Sequence, residues 1–185
     1  MMSDVILEMS LKMEKSVDAF RVELSKVRTG RASLAILDGI TVDAYGSVMP
    51  LNQVGTLTIP ESRMIAIQPW DPQMLPAIEK AILKSDIGLN PVGDGKTIRL
   101  NIPMLTEERR KELVKQVKKV AEEFRVAVRN VRRDALETLK KAKKDKEISE
   151  DDLFKFQDEA QAETDAHIKK IDEATALKEK EVMEV

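Results

Sequence analysis

The densest chemistry in this chain of 185 residues is a group of guanidiniums. Arg125, Arg129, Arg132 and Arg133 recur at helical spacing, preceded by Lys111, Lys115 and Lys118. On a helix turning about 100° per residue, these seven cations fall within an arc of about 100°. Val117, Phe124, Val131 and Ala135 fall to one side of that arc, so the cations form a continuous band beside a buried seam. Only Glu122 interrupts it. In Arg129-Asn130-Val131-Arg132-Arg133, three guanidiniums lie within little more than one turn. Their forked donors suit bidentate contacts to phosphate. A compact arginine cluster without nearby acids repels itself, and a polyanion would relieve that. The competing reading is a solvated face paired with an acidic helix elsewhere in the chain. No aromatic interleaves the exposed side of the band, which argues against stacking on unpaired bases and for structured RNA read by shape. Generic DNA binding fits less well, because the formal net charge is -2.

Other chemistry is sparse. There is no cysteine, which excludes a disulfide scaffold, a cysteine nucleophile and a thiolate metal site. The one histidine, His167, sits on or beside an apolar stripe and reads as a packed residue. Gly93-Asp94-Gly95-Lys96-Thr97 resembles a P-loop, but that motif needs glycine where this chain has Asn90, so a turn between strands is expected. No spacing singles out a catalytic carboxylate pair. Met1, Met2, Met9 and Met13 are expected to fill packing gaps. The reading is therefore no enzyme, no cofactor and no metal. No apolar run approaches the ~20 residues of a membrane span. The N-terminus carries Asp4 and Glu8 and does not read as a signal peptide. A soluble cytoplasmic protein without membrane or DNA partners is expected.

The elements that must hold the band follow from periodicity. Ile6, Met9, Met13, Val17, Phe20, Leu24 and Val27 form one apolar stripe of a first long helix, with Ser3 as N-cap and Gly30 as stop. Leu113, Val117, Val120, Phe124, Val128, Val131, Ala135 and Leu139 form the stripe of a second, which starts at Thr106 and ends within Lys140 to Glu147. Ser149 to Asp152 resembles a capping box opening a third, with Leu153, Phe156, Ala160, His167, Ile171 and Ala174 inward. Between the first two, residues 31–103 hold every proline and every glycine but Gly30. There strands are expected at Ile40 to Tyr45, Val54 to Ile59, Met64 to Gln68 and Thr97 to Ile102. A helix from Asp71-Pro72 to about Ser85 should turn Leu75, Ile78, Ile82 and Leu83 inward.

One stripe cannot be buried alone, so residues 1–30 and 104–185 are expected to form an elongated three-helix bundle, with 31–103 inserted as a small β/α/β domain on a two-stranded linker. The fold class is α+β. The second helix, near 40 residues, would span about 60 Å. Charge follows the same division: residues 104–146 hold 15 basic and 8 acidic groups, and 147–185 hold 5 and 13. A basic block followed by an acidic one suits either a polyanion partner or two helices that attract each other.

Several stretches carry a family resemblance. Lys26 to Ser33, Ser85 to Pro91, Leu105 to Lys111, Val128 to Asp134 and Asp145 to Asp152 resemble the signature stretches of bacterial ribosome recycling factors, in order and across the chain. The resemblance implies an L-shaped, monomeric molecule whose bundle and small domain are joined by hinges. It implies binding between the subunits of the post-termination 70S ribosome, which is split with elongation factor G and that partner's GTP hydrolysis. Arg129, Arg132 and Arg133 then match contacts to large-subunit ribosomal RNA (rRNA), with Arg110 and Arg28 supporting, beside Arg125 and Lys118 of the band. Thr29, Gly30, Arg31, Pro103, Met104 and Leu105 match the hinge. Ala44 departs from the family's usual aromatic before Tyr45, and Val48-Met49 from its usual threonine and proline. Two other classes stay open on the residues alone: a coiled-coil-like adaptor for protein helices, and an enzyme that binds nucleotide itself.

Overall fold

The computed structural model describes residues 2–184. The chain divides into two compact units. One takes the described residues up to Val27 together with Glu108–Glu184, and the other is Arg28–Glu107.

The first unit is built from α1 (Met2–Ser25), α3 (Glu107–Lys144) and α4 (Glu150–Met183). Met9, Met13, Val17, Phe20 and Leu24 are buried on α1, at the three- and four-residue spacing that keeps one helical face inward. They share a core with Val117, Ala121, Val128 and Ala135 of α3 and Ala160 and Ile171 of α4. Small alanines and the bulky Met9, Met13 and Phe20 lie in this one core. Phe20 meets Phe124 with ring centroids 5.4 Å apart at 43°, a tilted aromatic pair. Met9 and Met13 fill the core as expected, Met2 is half-buried, and Met1 lies outside the described residues.

Helix ends follow local chemistry. Ser149 opens α4 with a full capping box: its hydroxyl accepts from Asp152 N at 3.0 Å, and the Asp152 carboxylate accepts from Ser149 N at 3.2 Å. α3 ends in a Schellman closure, with Glu147 N on Ala142 O at 2.9 Å and Lys146 at φ 63. Two expectations for α1 fail. Ser3 lies inside the helix, which already runs from Met2. The helix stops at Ser25, where Lys26 and Val27 fold back onto Glu23 and Leu24 carbonyls, before Gly30 is reached.

The second unit holds a hairpin, β1 (Thr41–Ala44) with β2 (Ser47–Pro50), and an antiparallel sheet. The sheet order is β3 (Gly55–Glu61), β4 (Met64–Pro69), β6 (Ile98–Asn101), β5 (Pro91–Gly93). α2 (Leu75–Lys84) lies between β4 and β5 in sequence, after a 3-10 turn that Asp71 caps through Gln73 N. Ile65 and Ile67 of β4 stand opposite Leu100 and Ile98 of β6, and all four are buried with Ile78 and Ile82 of α2. Tyr45 and Gly46 make the hairpin turn with φ of 50 and 81, a two-residue turn that needs positive φ at both positions. Leu83, expected inward, is 62% exposed: one residue past Ile82 it has rotated off the packed face. β2 and β5 lie outside the expected strands. Each is three or four residues long and contains a proline, which suits edge strands and hides them from pattern reading. Residues 93–97 are the expected turn: Asp94 Oδ1 accepts from the backbone N–H of Lys96 and Thr97.

Candidate nucleic-acid interface

The cations of α3 do not share one environment. Arg125, its side chain 23% exposed, donates Nε to Asp172 of α4 at 2.8 Å and Nη1 to Glu122 at 3.2 Å. Burial works against its charge, but the two carboxylates outweigh that and hold the guanidinium above its ordinary pKa. Arg129 donates Nη1 to the other oxygen of Glu122 at 3.1 Å. Hydrogen bonds from Arg125 and Arg129 hold the Glu122 carboxyl below the usual carboxylate range. The expectation of an arginine cluster without nearby acids is thus corrected at this end: Glu122 bridges two arginines, and α4 supplies a second acid.

Arg132 is held differently. Its Nη1 donates to the neutral amide oxygen of Gln161 at 2.9 Å. Arg133 and Lys118 are exposed and meet no hydrogen-bond or ion-pair partner among the described residues. Arg110, in the first turn of α3, points Nη1 at the Met183 carbonyl at the long distance of 3.5 Å, and its buried Nε has no partner among the described residues. A cation at the C-terminal end of α4 complements the helix dipole. Arg28 belongs to the smaller unit and donates to the Ile87 carbonyl at 3.0 Å. The candidate cations are therefore brought together along α3, with Arg28 apart from them in the chain's division into units.

The linker residues are defined by backbone. Gly30 has φ 78, where a side chain would be strained, and a Cβ there would stand 3.2 Å from Leu105 Cγ, which would have to shift to admit it. Ala32 N–H donates to Ser62 O at 2.7 Å and Ile102 N–H to Arg63 O at 2.8 Å, fastening both connecting segments to the same β-turn. Of the two departures from family pattern, Ala44 is fully buried and Met49 packs against the core, while Val48 is 65% exposed.

His167 is buried, as expected. Nδ1 meets Glu163 O at 2.7 Å and Nε2 meets Glu14 Oε2 at 3.1 Å, where Lys170 Nζ also donates at 2.8 Å. The Lys170 hydrogen bond is the main reason the Glu14 carboxyl is held below its ordinary 4.5. Together with Ser10 on Glu163, this cluster ties α1 to α4 with both helices running the same way. Sequence reasoning did not reach Asp172, Gln161 or Glu14. Spacing rules act within one helix, and these partners act between helices; the one available signal was the four-residue step from Gln161 to Asp165. Among the described residues, no group of three or more His, Cys, Asp or Glu is placed to hold a metal, and no helix is long and apolar enough to cross a membrane.

These features define a class: an α+β protein whose long three-helix bundle is interrupted by a small antiparallel-sheet unit and bears a cationic helix edge. Comparison with known proteins makes the class particular. A family model described as ribosome recycling factor matches residues 20–183, and the chain belongs to that family. The ribosome-recycling factor of Desulfotalea psychrophila is 77% identical over 184 residues, covering both chains fully. That of Nitratidesulfovibrio vulgaris is 56% identical, covering 100% of this chain and 99% of the relative. A solution structure of a ribosome recycling factor, 43% identical, superposes with a TM-score of 0.79, over 100% of this chain and 98% of the other. A second is a T. thermophilus ribosome recycling factor bound, with E. coli elongation factor G, to the E. coli post-termination complex. It is 44% identical over the whole of both chains, with a TM-score of 0.66. The family is named for the recycling of ribosomes.

Proposed function

We propose that this chain recycles ribosomes by splitting the post-termination ribosome into subunits, together with elongation factor G and GTP hydrolysis by that partner. The bundle holds large-subunit rRNA through Arg129, Arg132 and Arg133, with Lys118 and Arg110 of the same helix supporting, and the smaller unit adds Arg28. The observation that carries this is the state of Arg132, Arg133 and Lys118: three cations on one helix edge with no carboxylate on any of them among the described residues. Such charges gain most from phosphate, because nothing internal has to be displaced and condensed counterions are released from the RNA. Arg125, already neutralised by two acids, contributes to the bundle instead.

The role is mechanical. A monomer grips RNA with its helical shaft, and the smaller unit moves on Thr29, Gly30, Arg31, Pro103, Met104 and Leu105 when the GTPase acts. No step needs a reacting group from this chain.

Sedimentation of post-termination complexes tests the proposal. With this protein, elongation factor G and GTP, the 70S peak should convert to subunits, and omitting any one of the three should prevent it. An unchanged 70S peak with all three present overturns the reading. Equilibrium dialysis of the chain alone against GTP should show no binding; retained nucleotide would point to the enzyme class instead.

A further inference from the structure

Arg132 differs from its neighbours in what holds it. The amide oxygen of Gln161 accepts from Arg132 Nη1 at 2.9 Å, while the amide nitrogen of Gln161 donates to Asp165 Oδ1 at 2.8 Å. Asp165 and Gln161 are one helical turn apart on α4, the spacing at which side chains meet on one face. An ionised carboxylate only accepts, so Asp165 draws the amide nitrogen to itself and leaves the oxygen toward α3. The guanidinium spends one N–H on this contact and keeps its full charge, because its partner is neutral. At Arg125 the equivalent contact from α4 is the carboxylate of Asp172, and the charge is cancelled.

We infer that Gln161 and Asp165 are a positioning pair for the RNA-binding edge. Asp165 sets the direction of the amide, and Gln161 holds Arg132 in place without neutralising it. This rests on the reading of that edge as the rRNA surface. A long side chain fixed beforehand loses less freedom on binding, so a neutral anchor raises affinity where an acidic anchor would oppose it.

The test is pelleting of the full chain with large ribosomal subunits across a salt series, comparing Gln161→Glu, Gln161→Met, Asp165→Asn and Arg132→Ala. Gln161→Glu should weaken binding about tenfold at low salt and make log affinity against log salt shallower by about one, as one phosphate contact is pre-empted. Gln161→Met removes the anchor and adds no charge; it should cost about threefold and leave the slope unchanged. Asp165→Asn lets the amide turn over and should cost about twofold. A lowered melting temperature for Gln161→Glu with an unchanged slope would mean a purely structural role and would overturn the inference. Native affinity and slope for Gln161→Glu, beside a weakened Arg132→Ala, would overturn the inference and leave the rRNA reading standing. Native behaviour of Arg132→Ala would overturn the reading, and the inference with it.

Discussion

The two ends of the arginine run on α3 share a residue type, a helix and an edge, yet the fold uses them differently. Arg125 is folded into the bundle, with Asp172 reaching across from α4 and Glu122 from its own helix. Arg132 meets only a neutral amide, and Arg133 next to it meets nothing among the described residues. A basic band drawn on a helical wheel is therefore not one surface. Its charges divide into those the molecule has already neutralised and those it leaves for a partner. Arg129 stands between, sharing Glu122 yet 44% exposed.

Substitutions should separate the two ends. The largest effect is expected for Arg132→Ala, which should weaken large-subunit binding by about 1–3 kcal/mol, measured by pelleting, with melting temperature nearly unchanged. Arg125→Ala should do the reverse. It should cost about 1 kcal/mol of stability, lowering the thermal midpoint by about 2–4 °C, while affinity changes less than about twofold. Equal affinity losses at the two positions would erase the distinction.

Glu122→Gln should sharpen it. Releasing Arg129 from its carboxylate should tighten binding by about two- to threefold at low salt, with the gain vanishing at high salt. The smallest effect concerns pairing that is wholly internal. Lys170, aided by His167, holds the Glu14 carboxyl below its ordinary 4.5, so as pH falls the unfolded chain takes up this proton before the folded one does. The stabilisation is complete above about pH 5 and is lost as acid reaches the depressed folded value. Glu14→Gln should therefore flatten the acid limb of the stability curve, followed by circular dichroism, and leave RNA affinity alone.

Much of the scaffold was legible because it rests on local rules. The stripe Met9, Met13, Val17, Phe20 and Leu24 is buried as its spacing requires, and Ser149 with Asp152 forms the capping box its sequence suggests. Asp71 caps the turn before α2, and Ile65, Ile67, Ile98 and Leu100 alternate into the small core. What escaped depended on other parts of the chain. Pro50 and Pro91 sit in strands that exist only because a neighbouring strand pairs with them. Ser3 has capping chemistry, but the helix already includes it. At the site, the wheel placed the cations of the band on one edge of α3 and could not say which were spoken for. That was decided by Asp172 and Gln161, which lie 47 and 29 residues from their arginines.

The most direct measurement is the slope of log affinity for large ribosomal subunits against log salt. It should be taken for the native chain, for Arg132 and Arg133 replaced together by alanine, and for Arg125→Ala. If the open guanidiniums grip rRNA phosphate, the double replacement should flatten the line by about two and Arg125→Ala should leave it parallel to native. Three parallel lines would contradict the claim that the cations the fold leaves unneutralised are the ones that hold RNA.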